Sequence, residues 1–228
     1  GIAHLAAIKG RVPFINFFDG FRTSHEIQKV EVLDYEELAG LIDQEALERF
    51  RASALHPNHP VIRGTAENPD IYFQHCEAAN PFYEAIPDIV QDYMDHISTI
   101  TGRSYHLFDY YGASDADRVI VAIGSVTDIC KEVSDALNEN GEKVGVLNVH
   151  LYHPFSVKHF IDQLPESVRK IAVLDRTREP GAIGEPLFLD VQSAVTSSGR
   201  NIRVCGGRYG LGSKDVTPED IMAVYEHL

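Results

Sequence analysis

From about residue 103 onward, largely apolar runs alternate with amphipathic segments, and few folds accommodate that order. RVIVAIGS (118–125), KVGVLNVHLY (143–152), KIAVLD (170–175) and NIRVCG (201–206) each read as a strand. A strand that is apolar on both faces has to be covered on both, the condition of a mostly parallel sheet between helical layers. Between the runs, Val126, Ile129, Cys130, Val133, Ala136 and Leu137 keep helical spacing. Ser156 caps a short helix through Leu164, and Pro186 lies in the first turn of one reaching about 198. Thr217, Pro218, Glu219 and Asp220 open a last helix with Ile221, Val224, Tyr225 and Leu228 on its inner face. The sequence predicts an α/β domain over 103–228, an open and mostly parallel sheet with helices on both faces.

Residues 1–102 carry a different pattern. Ile2, Ala3, Leu5, Ala6 and Ile8 form a helical stripe with no Met ahead of it, so the chain is expected to be an internal piece of something larger. RVPFINFF (11–18) reads as a buried strand ending in the turn Asp19-Gly20. Asp34, with Glu37 three residues on, starts a helix whose inner face is Leu38, Leu41 and Ile42. A further helix over 43–55 presents Leu47, Phe50 and Ala54. Residues 56–81, with Pro57, Pro60, Pro69 and Pro81, read as a long loop, and helix returns over 82–100.

Charge and cysteine usage exclude several classes. Thirty-four acidic against twenty basic residues give a formal charge of −14, which repels nucleic acid and anionic membrane. No apolar run reaches the roughly 20 residues needed to span a bilayer. Cys76, Cys130 and Cys205 are far apart and form no CxxC, so a disulfide framework, a zinc ribbon and a ligated iron–sulfur cluster lack support. A reducing cytoplasm fits this usage.

The chemistry-bearing candidates are few. Gly206–Gly212 follows a strand, but its spacing is not that of a dinucleotide loop opening into a helix, so it reads as structural. His56 and His59 sit in a loop, and no second ligand pair makes a metal site with them. Cys205 reads as a small apolar residue, and Cys76 beside His75 does not make a dyad by adjacency alone. Gly124-Ser125 lies at a strand-to-helix turn that can face a phosphate or simply pack. Arg22, Thr23, Ser24 and His25 follow the apolar run 11–18 and either bind an anionic group or cap a helix and pair internally. Arg176 and Arg178 follow the third apolar run of the α/β domain. They either join an inter-domain ion network, the favoured reading, or meet a ligand at the sheet end.

Five segments carry a resemblance. FFDGFRTSHEIQKVEVLDY (17–35), RGTAENPDIYFQ (63–74), LFDYYGASDADRVIVAIGS (107–125), LDRTREPGAIGEPLFLDV (174–191) and GGRYGLGSKDVTP (206–218) closely resemble successive stretches of pyruvate:ferredoxin (flavodoxin) oxidoreductases. The resemblance implies that 1–102 is the C-terminal part of the family's first domain, a thiamine-enzyme pyrimidine-binding α/β fold with a long connecting loop and helices. It implies that 103–228 is the second domain, transketolase C-terminal-like. The parent enzyme would use thiamine diphosphate, magnesium and iron–sulfur clusters to convert pyruvate and coenzyme A to acetyl-CoA and CO2, passing electrons to ferredoxin or flavodoxin. Its GDG…N diphosphate segment and cysteine-rich segment have no counterpart here, since the only Asp-Gly is Asp19-Gly20 after Phe18. The resemblance therefore carries no catalytic residue and no bound cofactor onto this chain. It implies scaffold, inter-domain and dimer contacts, with Gly124, Ser125, Arg176 and Arg178 near other domains or coenzyme A. Two alternatives stay open: an independent nucleotide- or CoA-binding module, and the same region of a pyruvate:NADP oxidoreductase.

Overall fold

Val119 and Ile120 are neighbours on one strand, point to opposite faces and are both wholly buried, so their sheet is covered on two sides. The computed structural model describes residues 1–228 apart from Phe21, Arg63, Thr65 and the side chain of Arg22. They group into two compact units, 1–17 with 27–105 and 18–26 with 106–228.

Helices α1 (Ile2–Gly10), α2 (Arg22–His25), α3 (Tyr35–Gly40), α4 (Gln44–Ala52) and α5 (Pro69–Thr101) precede the sheet. In the first unit α1 packs on α5 and α4, burying Leu5, Ala6, Ala46, Ile86, Val90, Tyr93 and Ile97. Lys9 closes the α1–α5 contact through Asp92 at 3.1 Å. Asp34 caps α3 by accepting the Glu36 amide at 2.6 Å, and Asp43 caps α4 by accepting that of Ala46 at 2.8 Å.

Three expectations for this unit are corrected. Residues 11–18 form no strand: Ile15 is 87% exposed and Phe18 70%, because an apolar run becomes a strand only beside a ladder partner, and none lies beside it among the described residues. The loop predicted to Pro81 ends instead at Asn68, where Pro69 opens a 33-residue helix that carries Pro81 and Pro87 in its interior. Pro69 occupies the first helical position, where a missing amide costs nothing. Phe50 and Ala54 are exposed rather than core: Phe50 lies one turn beyond the buried Ala46, and Ala54 lies past the end of α4.

In the second unit the strands are β1 (Phe108–Gly112), β2 (Arg118–Ala122), β3 (Val144–Val149), β4 (Lys170–Asp175) and β5 (Arg203–Arg208). Their order is β1-β3-β2-β4-β5; β1 lies antiparallel to β3, and the other pairs are parallel. The mostly parallel α/β architecture is as predicted, with two refinements. β1 is an additional edge strand, and β5 runs through Gly206 and Gly207 to Arg208, so the glycine-rich stretch starts within the ladder.

Helices α6 (Val126–Glu139), α7 (Val157–Gln163), α8 (Pro186–Ser198) and α9 (Pro218–His227) cover the sheet. Ile120, Ala122, Val144, Val146, Ala172 and Leu174 form one core with Cys130 and Val133 of α6 and Ile221 and Tyr225 of α9. The alternate residues Val119, Val121, Ile171 and Val173 are equally buried on the other face, the side of α7 and α8. Each such aliphatic side chain contributes about 1.5–3 kcal/mol on burial. At the edge, Gly112 adopts φ 127°, and a Cβ there would lie 2.6 Å from the Gly145 Cα, so only glycine lets β1 close on β3.

Candidate functional site at the carboxyl edge of the sheet

The strand order places a topological switch point between β2 and β4. From β2 the chain crosses through α6 to β3 on one side, and from β4 it crosses through α8 to β5 on the other. Crevices at such points, outside the carboxyl ends of the strands, are where open α/β sheets receive ligands. The residues that reach this crevice are Gly124 and Ser125 after β2, Arg176 after β4 and Tyr209 after β5.

Asp19 fills it. Its Oδ2 accepts the Ser125 amide at 2.8 Å and the Ser125 hydroxyl at 2.5 Å, while Oδ1 accepts Arg176 Nη1 at 3.2 Å. The Asp19 side chain is 16% exposed and that of Arg176 33%. Burial alone would raise the Asp19 carboxyl, but the Ser125 hydroxyl and amide and the Arg176 guanidinium outweigh it and hold the pKa below its ordinary value. Gly124 has φ 84°, and a Cβ there would stand 2.8 Å from Asp19 Oδ2. Tyr209 borders the same charges; its hydroxyl donates to the Ile123 carbonyl at 3.3 Å, and burial pushes its pKa up to about 12. A carboxylate so engaged is a clamp rather than a proton acceptor.

Beside it lies a second carboxylate arrangement. Asp175 accepts the amides of Leu187 at 3.0 Å and Phe188 at 3.1 Å, capping α8 from the end of β4. Its pKa is raised because burial outweighs those amides. Glu185, 7% exposed, accepts the Glu179 amide and Arg208 Nη1, each at 2.7 Å, and so pins the 176–185 loop to β5.

The structure thus brings Gly124, Ser125 and Arg176 together around Asp19. Arg178 lies exposed in the 176–185 loop, away from that cluster of contacts. Thr23, Ser24 and His25 are on α2; Ser24 Oγ stands 3.5 Å from His25 Nδ1, and the Thr23 carbonyl accepts the Glu26 amide at 3.3 Å. The Arg22 side chain lies outside the described residues. Sequence reasoning placed Asp19 and Asp175 at the head of two charged turns without choosing either as a site residue, and it did not reach Glu185. The available signal was position: Asp19 ends one apolar run and Asp175 another.

The remaining candidates stay apart from this edge. His75 Nδ1 pairs with Glu67 Oε1 at 2.5 Å, and the pair lines a surface recess with Tyr72 and Cys76. His56 accepts the Asn58 amide at 3.2 Å within its own turn. A recess at the amino edge, lined by Glu166, Arg169 and Arg200, is braced by guanidiniums that donate to loop carbonyls, such as Arg169 Nη1 to Glu166 at 3.0 Å. Among the described residues no group of three or more His, Cys, Asp or Glu side chains is placed to hold a metal ion. No described helix is long and apolar enough to cross a membrane.

Two family models match the chain. One, described as "Pyruvate flavodoxin/ferredoxin oxidoreductase, thiamine diP-bdg", matches residues 1–95. The other, "Pyruvate:ferredoxin oxidoreductase core domain II", matches residues 116–221. A pyruvate-flavodoxin oxidoreductase of Klebsiella pneumoniae is 65% identical over 227 residues, covering 100% of this chain and 19% of the relative. A pyruvate:ferredoxin oxidoreductase of Moorella thermoacetica is 57% identical over 227 residues with the same coverage. A pyruvate dehydrogenase [NADP(+)] of Cryptosporidium parvum is 47% identical over 231 residues, covering 100% of this chain and 12% of the relative. The chain spans about a fifth of the length of the first two.

Proposed function

This chain belongs to the pyruvate flavodoxin/ferredoxin oxidoreductase family, and on that premise we propose that it works as one part of such an enzyme, supplying scaffold and inter-domain or dimer contacts. The observation that carries this reading is the identity of 65% sustained over 227 residues of a pyruvate-flavodoxin oxidoreductase. The complete enzyme would take pyruvate, coenzyme A and an oxidised ferredoxin or flavodoxin to acetyl-CoA, CO2 and the reduced carrier. In this proposal residues 1–102 finish the first domain and 103–228 form the second, the enzyme is a cytoplasmic homodimer, and the electron carrier docks on other domains.

Thiamine diphosphate enters through the family description of residues 1–95. Magnesium holds a diphosphate through one or two protein carboxylates beside the phosphates themselves, and the family's GDG…N segment, which would supply them, has no counterpart in this sequence. On that ground we assign cofactor, iron–sulfur clusters and catalytic residues to other parts of the enzyme. Calorimetry of this chain with magnesium and thiamine diphosphate is expected to show no binding; micromolar affinity would overturn that assignment.

The NADP-dependent reading is favoured by the 47% identity to the Cryptosporidium parvum enzyme. Assaying the natural polypeptide with pyruvate and coenzyme A separates the two, ferredoxin or flavodoxin reduction supporting the first and NADP+ reduction the second. A free-standing nucleotide or CoA module is disfavoured by the crevice itself, where Asp19 already holds the Ser125 amide and the Arg176 guanidinium.

A further inference from the structure

Residues 18–26 belong to the second unit although the strands they approach begin more than eighty positions later. Phe18 is 70% exposed, and Gly20, Ser24, His25 and Glu26 are exposed as well. Among the described residues of this stretch no large apolar side chain is buried. The Asp19 carboxylate is sunk in the switch-point crevice and engaged by three donors. Gly124 leaves just enough room for it.

We propose that Asp19 is a latch, its carboxylate docking residues 18–26 into the crevice between Ser125 and Arg176 and so fixing where the Thr23–His25 turn stands. The geometry is that of an anion site occupied by the chain's own side chain. The Ser125 amide at the start of α6, its hydroxyl and the Arg176 guanidinium are the groups that would meet a carboxylate or phosphate from elsewhere. Latching in this way ties an exposed turn to the edge of the sheet through a charged contact. It goes beyond the oxidoreductase reading and does not depend on it.

Millisecond hydrogen exchange on the whole 228-residue chain tests the latch, with β2 and β4 amides as the internal reference for folding. Asp19→Ala is expected to speed exchange in 18–26 by about tenfold or more, the scale of losing charge-assisted hydrogen bonds, while the reference strands keep their protection. Adding Arg176→Met to Asp19→Ala is expected to change nothing further in 18–26, because both partners serve one contact. Asp19→Asn, which keeps the shape and loses the charge, is expected to fall between wild type and Asp19→Ala, and tryptic cleavage after Arg22 should follow the same ranking. Equal exchange of 18–26 in wild type and Asp19→Ala would overturn the proposal, as would fully additive effects of the two substitutions.

Discussion

Asp175 and Leu187 are joined across twelve residues of sequence: the carboxylate at the end of β4 accepts the amide in the first turn of α8 at 3.0 Å. The residue at the helix's own cap position, Glu185, turns its carboxylate to Glu179 and Arg208 instead. A strand thereby supplies the cap that the helix lacks. Replacing Asp175 by Ala is expected to cost about 1–2 kcal/mol, the range for losing a helix cap, read as a lower urea midpoint at unchanged slope.

Asp19 and Asp175 give the acid limb of stability opposite slopes. The Asp19 carboxyl, facing Ser125, Arg176 and Tyr209, has its pKa lowered on folding. Its contribution is complete above the unfolded value of about 3.9 and is lost as pH falls through the lower folded value. Asp175, facing the Leu187 and Phe188 amides with Glu185 and Asp190 nearby, has its pKa raised by burial. The folded state therefore takes up that proton first, and stability from this group declines as pH rises from the unfolded value through the folded one. Unfolding free energies measured as a function of pH should fall less steeply toward acid in Asp19→Asn than in wild type, and more steeply in Asp175→Asn.

Gly112 is the point where β1 touches β3. Alanine there would combine positive φ with a 2.6 Å approach to backbone atoms that cannot yield. A loss of about 1–3 kcal/mol is expected, with faster amide exchange in β1 before any in β2. Unchanged β1 protection would show that the edge can shift to accept a side chain.

Phe160 closes the α7 side of the sheet, wholly buried, with ring centroids 5.5 Å from Phe108 and 5.4 Å from Phe155. Phe160→Ala is expected to destabilise the second unit by about 3–5 kcal/mol in chemical denaturation, the cost of a large aromatic cavity. A loss under about 1 kcal/mol would mean that Phe155 collapses into the space.

The three thiols should separate in a titration with an aromatic disulfide reagent. Cys76 is exposed and is expected to react at once. Burial, with Asp128 nearby, pushes the Cys130 thiol up to about 12, and burial also raises Cys205, though Arg203 opposes it. Cys130 is expected to react only after unfolding, with Cys205 between the two. Prompt reaction of Cys130 in native protein would contradict the packing of α6.

Much of the second unit was legible because its code is local. Apolar runs marked β2 to β5, and Ser156 and Thr217 marked helix starts by the oxygen that caps them. β1 was not legible as a strand: Asp109 and Gly112 interrupt it, and its identity depends on pairing with β3, more than thirty residues on. RVPFINFF failed for the converse reason, having strand composition without a ladder partner among the described residues. Pro81 misled because a proline forbids one amide bond, not a helix, and α5 carries it on an exposed stretch. At the carboxyl edge, Gly124, Ser125 and Arg176 could be picked out one by one. Asp19, which joins them, could not, because its partners lie 106 and 157 residues away. The family resemblance read from five segments agrees with both family matches.

Tyr225 on α9 is almost wholly buried and donates to the Gly145 carbonyl of β3 at 2.9 Å, while its own carbonyl accepts Arg118 Nη1 at the start of β2 at 3.2 Å. These two bonds stitch residues 218–227 to strands laid down roughly a hundred residues earlier in synthesis. As the chain leaves the ribosome, β2 and β3 can pair, but their α9 face stays open to water until the last of these residues emerges. The second unit is therefore expected to gain protease resistance in one late step rather than strand by strand, because the helix that covers this face follows every strand in the chain.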